Sequence, residues 1–178
     1  MTDLSVVHLK RLVIIIFYTN FDCKYGEIFI AGDENGLAEL FFRDCKWNYN
    51  FCIKHTWFKN DSFFKDAVKQ INEYFDGSRY KFNLNINPKG NELQLAVWKE
   101  INKISYGNFR TFEDIAISIH KTDNISEIVM AVYSNPLPLI IPSHRVYYDN
   151  YDEFNFKRRL FMNERFMNYK MSWNISVN

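Results

Sequence analysis

The chain has 178 residues, of which 47% are hydrophobic, so it can form one large domain or two small ones, and general disorder is excluded. Its formal net charge of +1 excludes a strongly basic surface and leaves any nucleic-acid binding to a local patch. Three cysteines, Cys23, Cys45 and Cys52, are too few for a disulfide framework and fit a reduced protein. Leu12 to Tyr18 is apolar but too short to span a membrane, and no signal peptide is recognisable. We therefore expect a soluble, cytoplasmic protein.

The first part of the chain is rich in segments typical of strands. Val13 to Tyr18, Gly26 to Ala31 and Leu37 to Phe42 are dense in β-branched and aromatic residues and predict strands. Asn35-Gly36 predicts a turn before the last of them, because both residues tolerate positive φ. The pattern indicates a small antiparallel meander.

A helix is predicted to follow this sheet. Apolar residues recur at helical spacing from about Phe63 to Phe75, and Asp61-Ser62 is the expected cap. Asn85 to Gly90 has the composition of a linker. We therefore divide the chain into an N-terminal α/β domain at 1–87 and a second domain at 88–178.

The second domain is predicted to be mainly helical. Its helices are expected at Asn91 to Ile104, at Phe112 to His120 after a Thr111 cap, and at about Ile125 to Tyr133. The short turn from Lys121 to Asn124 joins the last two into a helix-turn-helix. This arrangement binds DNA in many proteins but is also an ordinary packing unit, so spacing alone leaves both interpretations open.

The segment beyond these helices is proline-rich. Asn135 to Pro142 contains three prolines and cannot form a regular helix. Ser143 to Val146 follows it directly, and Lys157 to Arg165 predicts a final helix that includes Glu164. Scattered cations are the candidates for a local basic patch: Lys99, Lys103, Arg110, Lys121, Lys157, Arg158, Arg159 and Arg165.

Several segments in the same order resemble the alkylguanine-DNA alkyltransferases. They are Leu93 to Lys99, Ile104 to Gly107, Asn135 to Pro142 and Ser143-His144-Arg145-Val146. The resemblance covers nearly the whole chain. It implies an α+β fold, with a ribonuclease-H-like N-terminal domain and a winged-helix, helix-turn-helix DNA-binding domain. In that family a guanine is flipped out of duplex DNA and a cysteine takes its alkyl group, without a cofactor.

The resemblance also assigns residues to a site. Ser143 stands at the acceptor position, and His144 and Glu164 match the histidine and glutamate that activate the acceptor. The remaining positions of the base pocket and the DNA-binding surface are Phe112, Ser126, Tyr133, Asn135, Pro138, Arg145 and Val146.

This sequence departs from the family at several of those positions. A serine hydroxyl is far less acidic than a thiol, so Ser143 is a weak nucleophile. Phe112 replaces the pocket tyrosine and loses its hydroxyl. Ser126, followed by Glu127, replaces the arginine that enters the base stack. The segment from Tyr147 to Phe156 is shorter than the family's loop, and it is acidic and aromatic.

These departures favour a non-transferring relative that binds duplex DNA containing alkylated guanine and acts with proteins of a repair pathway. One alternative is a genuine cysteine methyltransferase in which Ser143 is an engineered replacement. Another is a degenerate scaffold with no DNA role. We expect a monomer with no cofactor and no metal, because Cys45, Cys52 and His55 match no common zinc spacing.

Overall fold

The computed structural model describes residues 15–43, 56–147 and Glu164. The predicted strands form β1 (Ile16–Cys23), β2 (Gly26–Asp33) and β3 (Gly36–Phe42), which pair antiparallel in chain order. The first strand therefore runs further along the chain than Val13 to Tyr18, and Val13 and Ile14 lie outside the described residues.

A further short strand completes the sheet. Strand β4 (Trp57–Lys59) pairs in parallel with β1, giving the order β3-β2-β1-β4. The sequence did not predict it, because three residues carry no readable alternation. At the opposite edge, the Leu37 amide donates to the Asn85 carbonyl at 2.9 Å, and the Asn87 amide donates to the Leu37 carbonyl at 2.6 Å. The expected linker thus covers the edge of β3.

The helix that follows the sheet, α1 (Lys65–Asp76), has no side-chain cap, so the expected Asp61-Ser62 cap is wrong. Asp61 instead accepts a 2.5 Å hydrogen bond from the hydroxyl of Thr19. Thr19 is buried and its hydroxyl needs a partner, which explains why Asp61 bonds Thr19 and does not cap the helix. In the turn before the helix, the side-chain oxygen of Asn60 accepts from the Phe63 amide at 3.1 Å.

The predicted helices of the second half are present as α2 (Glu92–Ile101), α3 (Phe112–Ser118) and α4 (Ile125–Tyr133). Asn91 and Thr111 each make a complete capping box, and the Thr111 cap was predicted. The three helices pack on one another, and the Trp98 indole donates to the Ala131 carbonyl at 2.7 Å. Their buried faces join those of the sheet and α1 in one apolar core.

The turn between α3 and α4 has the tight geometry of a helix-turn-helix. His120 has a φ of 55°, and the Lys121 amide donates a hydrogen bond to the Ala116 carbonyl at 2.9 Å. Such a left-handed residue ends a helix and turns the chain sharply. The α+β class and the helix-turn-helix are therefore confirmed.

The proline-rich segment lies against both halves of the molecule. Residues 135–142 form turns, Ser143–Arg145 is a single 3-10 turn, and β6 (Val146–Tyr147) pairs in parallel with β5 (Arg110–Thr111). The Leu40 amide of β3 donates to the Pro136 carbonyl at 2.8 Å. The acceptor segment, residues 135–146 with Ser143 at the expected acceptor position, is thereby bonded to the sheet. Of the expected final helix only Glu164 is described, and it is helical. No helix in the described ranges is long and apolar enough to cross a membrane.

Candidate functional site

Glu164 is the centre of a buried hydrogen-bond network. Its carboxylate accepts from His144 Nε2 at 2.6 Å, from Arg145 Nε at 2.9 Å and from the Gly107 amide at 3.1 Å. The hydroxyl of Tyr74 also donates to it. Burial alone would raise the pKa of Glu164, but the bonds and charges of His144 and Arg145 outweigh burial and hold that pKa at about 2. Glu164 is therefore an anion with every side of its carboxylate occupied.

Gly107 reaches Glu164 through its backbone. Its φ of 74° lies in the left-handed region, where a side chain is strained. This explains a glycine at the end of the Ile104 to Gly107 segment: the turn must aim an amide at the carboxylate.

His144 belongs to the 3-10 turn Ser143–Arg145, the expected acceptor turn, and its ring faces this anion. Burial lowers the pKa of His144 below its ordinary value of 6.5; Glu164 acts in the opposite direction, and the charge of Arg145 adds to the lowering. An ionised Glu164 needs a donor, so Nε2 carries the proton of the neutral ring. The Pro138 carbonyl also favours the charged ring, yet no hydrogen bond of ordinary geometry reaches Nδ1 in the described part of the chain. Nδ1 is thus the nitrogen with a lone pair.

Arg145 holds the network together. Its Nη1 donates to the Ile104 carbonyl at 2.6 Å, its Nη2 donates to Glu164 at 2.9 Å, and its guanidinium lies 5.6 Å from the Tyr106 ring centre. Burial and the nearby Glu164 charge raise the pKa of Tyr106 to about 12. Because the guanidinium is engaged on several sides, Arg145 is a structural counter-charge and not a surface cation facing phosphate.

Ser143, the residue expected at the acceptor position, is only 1% exposed. Asn135 Nδ2 donates to the Ser143 hydroxyl and, at 2.7 Å, to the Ile141 carbonyl. The hydroxyl in turn donates to that carbonyl at 3.4 Å. Asn135 Oδ1 accepts from the Leu137 amide at 2.9 Å, so one side chain fixes the whole turn.

The remaining positions of the expected site fall into a buried and an exposed group. Phe112 and Val146 belong to the apolar core. Pro138, in the segment that precedes Ser143, is also buried. Ser126 and Tyr133 are exposed on α4. The structure thus brings Ser143, His144, Glu164, Asn135 and Arg145 together and leaves Ser126 and Tyr133 on an outer face.

Two of the four described cations of the candidate basic patch are paired with protein groups. Lys103 pairs with Glu100, and Arg110 lies 3.5 Å from the same carboxylate while also donating to the Asp114 carbonyl at 2.7 Å. Lys99 and Lys121 are exposed. The later cations of the patch, from Lys157 onward, lie outside the described residues.

A cavity of about 650 Å³ lies behind the acceptor turn. Ile140, Pro142 and Arg145 line it together with Tyr106, but neither Ser143 nor Phe112 does. Within residues 15–43, 56–147 and 164, no group of three or more His, Cys, Asp or Glu side chains could hold a metal.

The sequence-based site missed Tyr74 and the Gly107 amide, and no local pattern could have linked Tyr74 to Glu164, which is 90 residues away.

Comparison with known proteins agrees with this geometry. Residues 16–88 match the ribonuclease-like domain of 6-O-methylguanine DNA methyltransferase, and residues 92–166 match its DNA-binding domain. The methylated-DNA–protein-cysteine methyltransferase of Methanosarcina barkeri is 37% identical over 131 residues, which span 74% of this chain and 82% of the relative. The constitutive enzyme of that name from Bacillus subtilis is 31% identical over 131 residues, covering 73% and 79%.

Solved structures give the same result. Mycobacterium tuberculosis O6-methylguanine methyltransferase superposes with a TM-score of 0.76 at 26% identity, covering 86% of this chain and 94% of that one. Mycobacterium tuberculosis OGT in complex with DNA superposes with a TM-score of 0.75 at 27% identity, covering 85% and 94%. The matched domains, the relatives and the shared two-domain fold confirm the resemblance seen in the sequence. The chain belongs to the 6-O-methylguanine DNA methyltransferase family, whose DNA-binding domain it carries.

Proposed function

We propose that this protein recognises alkylated guanine in duplex DNA and does not take up the alkyl group. The observation that carries the proposal is a serine at the expected acceptor position, directly before His144, whose bond to Glu164 is in place. The family's role in DNA repair supplies the substrate class, and the DNA complex of the mycobacterial relative supports duplex DNA as the partner.

The environment of Ser143 opposes nucleophilic attack. A hydroxyl needs strong activation to displace a guanine oxygen, because an alkoxide is far harder to form than a thiolate. Here the hydroxyl already accepts from Asn135 and donates to the Ile141 carbonyl. Its proton and one lone pair are therefore engaged in holding the turn, no base contacts the hydroxyl among the described residues, and methyl transfer to this oxygen is not expected.

The outer face of α4 supports selective rather than strong DNA binding. Ser126 is too small to fill the space of a flipped base, and the carboxylate of Glu127 is held by Asn124 Nδ2 at 2.8 Å at the start of the helix. An anion there repels phosphate. We expect low affinity for undamaged duplex, with discrimination arising from contacts to the damaged base.

A second candidate is a cysteine methyltransferase in which Ser143 stands in place of the natural acceptor. The arrangement of His144, Glu164 and Asn135 favours it, because the bond between His144 and Glu164 is in place beside position 143. A degenerate scaffold without DNA affinity is the third, and the near-neutral net charge of +1 favours it.

One set of measurements separates these candidates. Binding of the full chain to duplexes with one methylguanine or with guanine is followed by fluorescence anisotropy at low and at moderate salt. The proposal expects tighter binding to the methylguanine duplex; equal binding contradicts it, and no salt-dependent binding at all indicates the scaffold.

The chemistry is tested by mass spectrometry after incubation with the methylguanine duplex. The parent chain should stay unmodified, and a methylated Ser143 would refute the proposal. Methylation of Ser143→Cys would favour the second candidate. Ser78→Cys is the matched control, because Ser78 is exposed and outside the network, so methylation there would reveal non-specific thiol alkylation.

A further inference from the structure

Tyr74 is a buried tyrosine that contacts the network from outside the acceptor segment. It lies on α1, is 1% exposed and donates its hydroxyl to Glu164 Oε1. The same hydroxyl is 3.3 Å from His144 Nε2. A side chain of the helix that follows the sheet therefore contacts both members of the expected activating pair, beside their direct 2.6 Å bond.

We propose that Tyr74 is a positioning residue whose hydroxyl controls how strongly Glu164 engages His144. Oε1 of Glu164 faces the Tyr74 hydroxyl, His144 Nε2 at 2.6 Å and Arg145 Nη2 at 2.9 Å. A carboxylate oxygen has two lone pairs, so these donors share its capacity. The hydrogen bond from Tyr74 partly neutralises the Oε1 charge, and so weakens the attraction between that oxygen and the imidazole.

The groups around His144 in the described part of the chain define the electrostatic balance. Glu164 favours the charged imidazole, Arg145 opposes it, and the Pro138 carbonyl favours it. Tyr74 acts through Glu164, while Tyr106 lies one layer further out, with its ring centre 5.9 Å from that of Tyr74. Removing the Tyr74 hydroxyl strengthens the pull of Glu164, so the pKa of His144 should rise.

A purely packing role for Tyr74 makes a different prediction. The ring touches Phe75 and Phe82 with centre distances of 5.7 and 5.1 Å, and these contacts need no hydroxyl. Phenylalanine fills the same space and keeps them. The hydroxyl itself, whose pKa burial and then Glu164 raise well above its ordinary value, stays protonated and remains a donor.

This inference deepens the proposed function, since His144 adjoins the acceptor position, but it is measured on the protein without DNA. Failure of DNA recognition would leave it standing, and its own failure would leave recognition untouched. It concerns how α1 reaches the activating pair, whichever atom occupies the acceptor position.

The test is an NMR titration of the His144 ring in the full ¹⁵N-labelled chain. His144 is identified among the four histidines by its loss in His144→Gln. Tyr74→Phe should raise the pKa of His144 by roughly half a unit to one unit. Tyr80→Phe is the matched control, because the Tyr80 ring packs on Tyr106 and, within the described residues, its hydroxyl bonds neither Glu164 nor His144; it should leave the titration unchanged. An unchanged or lowered pKa in Tyr74→Phe, or an equal shift in both variants, would overturn the proposal.

A second measurement needs no substitution. In the parent protein, the Tyr74 hydroxyl proton should exchange slowly with water and show a cross-peak to the His144 ring, because both atoms are buried. Rapid exchange, or a hydroxyl without that cross-peak, would overturn the proposal even if Tyr74→Phe failed to fold.

Discussion

Replacing Glu164 with glutamine should be among the most destabilising single changes in this protein. The substitution leaves the guanidinium of Arg145 buried without its counter-charge, and breaking such a pair costs about 3–5 kcal/mol. The lowered pKa of Glu164 corresponds to a similar figure. A folded pKa of about 2, against an ordinary value of 4.5, corresponds to about 3 kcal/mol of stability at neutral pH.

The pH dependence follows from the direction of these shifts. The pKa of Glu164 is lower in the folded state, so its share of the stability is complete above pH 4.5 and is lost as the pH falls towards 2. The pKa of His144 is also lowered, and its share is lost as the pH falls below 6.5. Acid should therefore destabilise the protein in overlapping stages. Glutamine does not titrate, so the loss of stability between about pH 4.5 and pH 2 should be smaller in Glu164→Gln than in the parent protein.

The assay is urea unfolding followed by circular dichroism, at neutral pH and in steps down to about pH 3. The matched control is Glu34→Gln, an exposed turn position that should change the free energy of unfolding by less than about 0.5 kcal/mol. A loss below about 1 kcal/mol in Glu164→Gln, together with an acid slope like that of the parent, would refute the reasoning.

Other substitutions test the helices and the turn. Glu127→Lys should tighten binding to any duplex and steepen the slope of log affinity against log salt by about 0.9 for each new phosphate contact, measured by anisotropy at several salt concentrations. Trp98→Phe removes the donor to Ala131 and should cost about 1–3 kcal/mol in urea unfolding. Gly107→Ala forces a side chain into a φ of 74° and should cost about 1–2 kcal/mol; an unchanged melting temperature would show that the turn can relax without losing Glu164.

Elements set by local chemistry were predictable from the sequence. Helix α4 has the predicted limits, Ile125 and Tyr133, and the Thr111 cap is present with its partner Asp114. Both follow from side-chain spacing and from hydrogen bonds within a few residues. The Asn135 to Val146 segment was recognisable because its prolines and polar residues form a distinctive order.

Elements set by distant pairing were not predictable. Strand β4 and the β5–β6 pair are too short to carry a pattern, and they exist only because a remote strand supplies their hydrogen bonds. From the sequence, Tyr74 is predicted only to be an apolar position of α1. No neighbouring residue indicates that its hydroxyl bonds a carboxylate 90 residues later in the chain. The predicted Asp61-Ser62 cap is wrong for the same reason, because Asp61 accepts a hydrogen bond from Thr19, which is distant in sequence.

The bond between the Leu40 amide and the Pro136 carbonyl gives the acceptor segment a natural reporter. Leu40 is buried in the sheet, yet its amide hydrogen is held by the segment that carries Asn135 and leads to Ser143. Its exchange with solvent deuterium therefore requires that segment to move away from β3. The exchange rate of this single amide would measure how often the acceptor segment opens, in the free protein and after a damaged duplex is added.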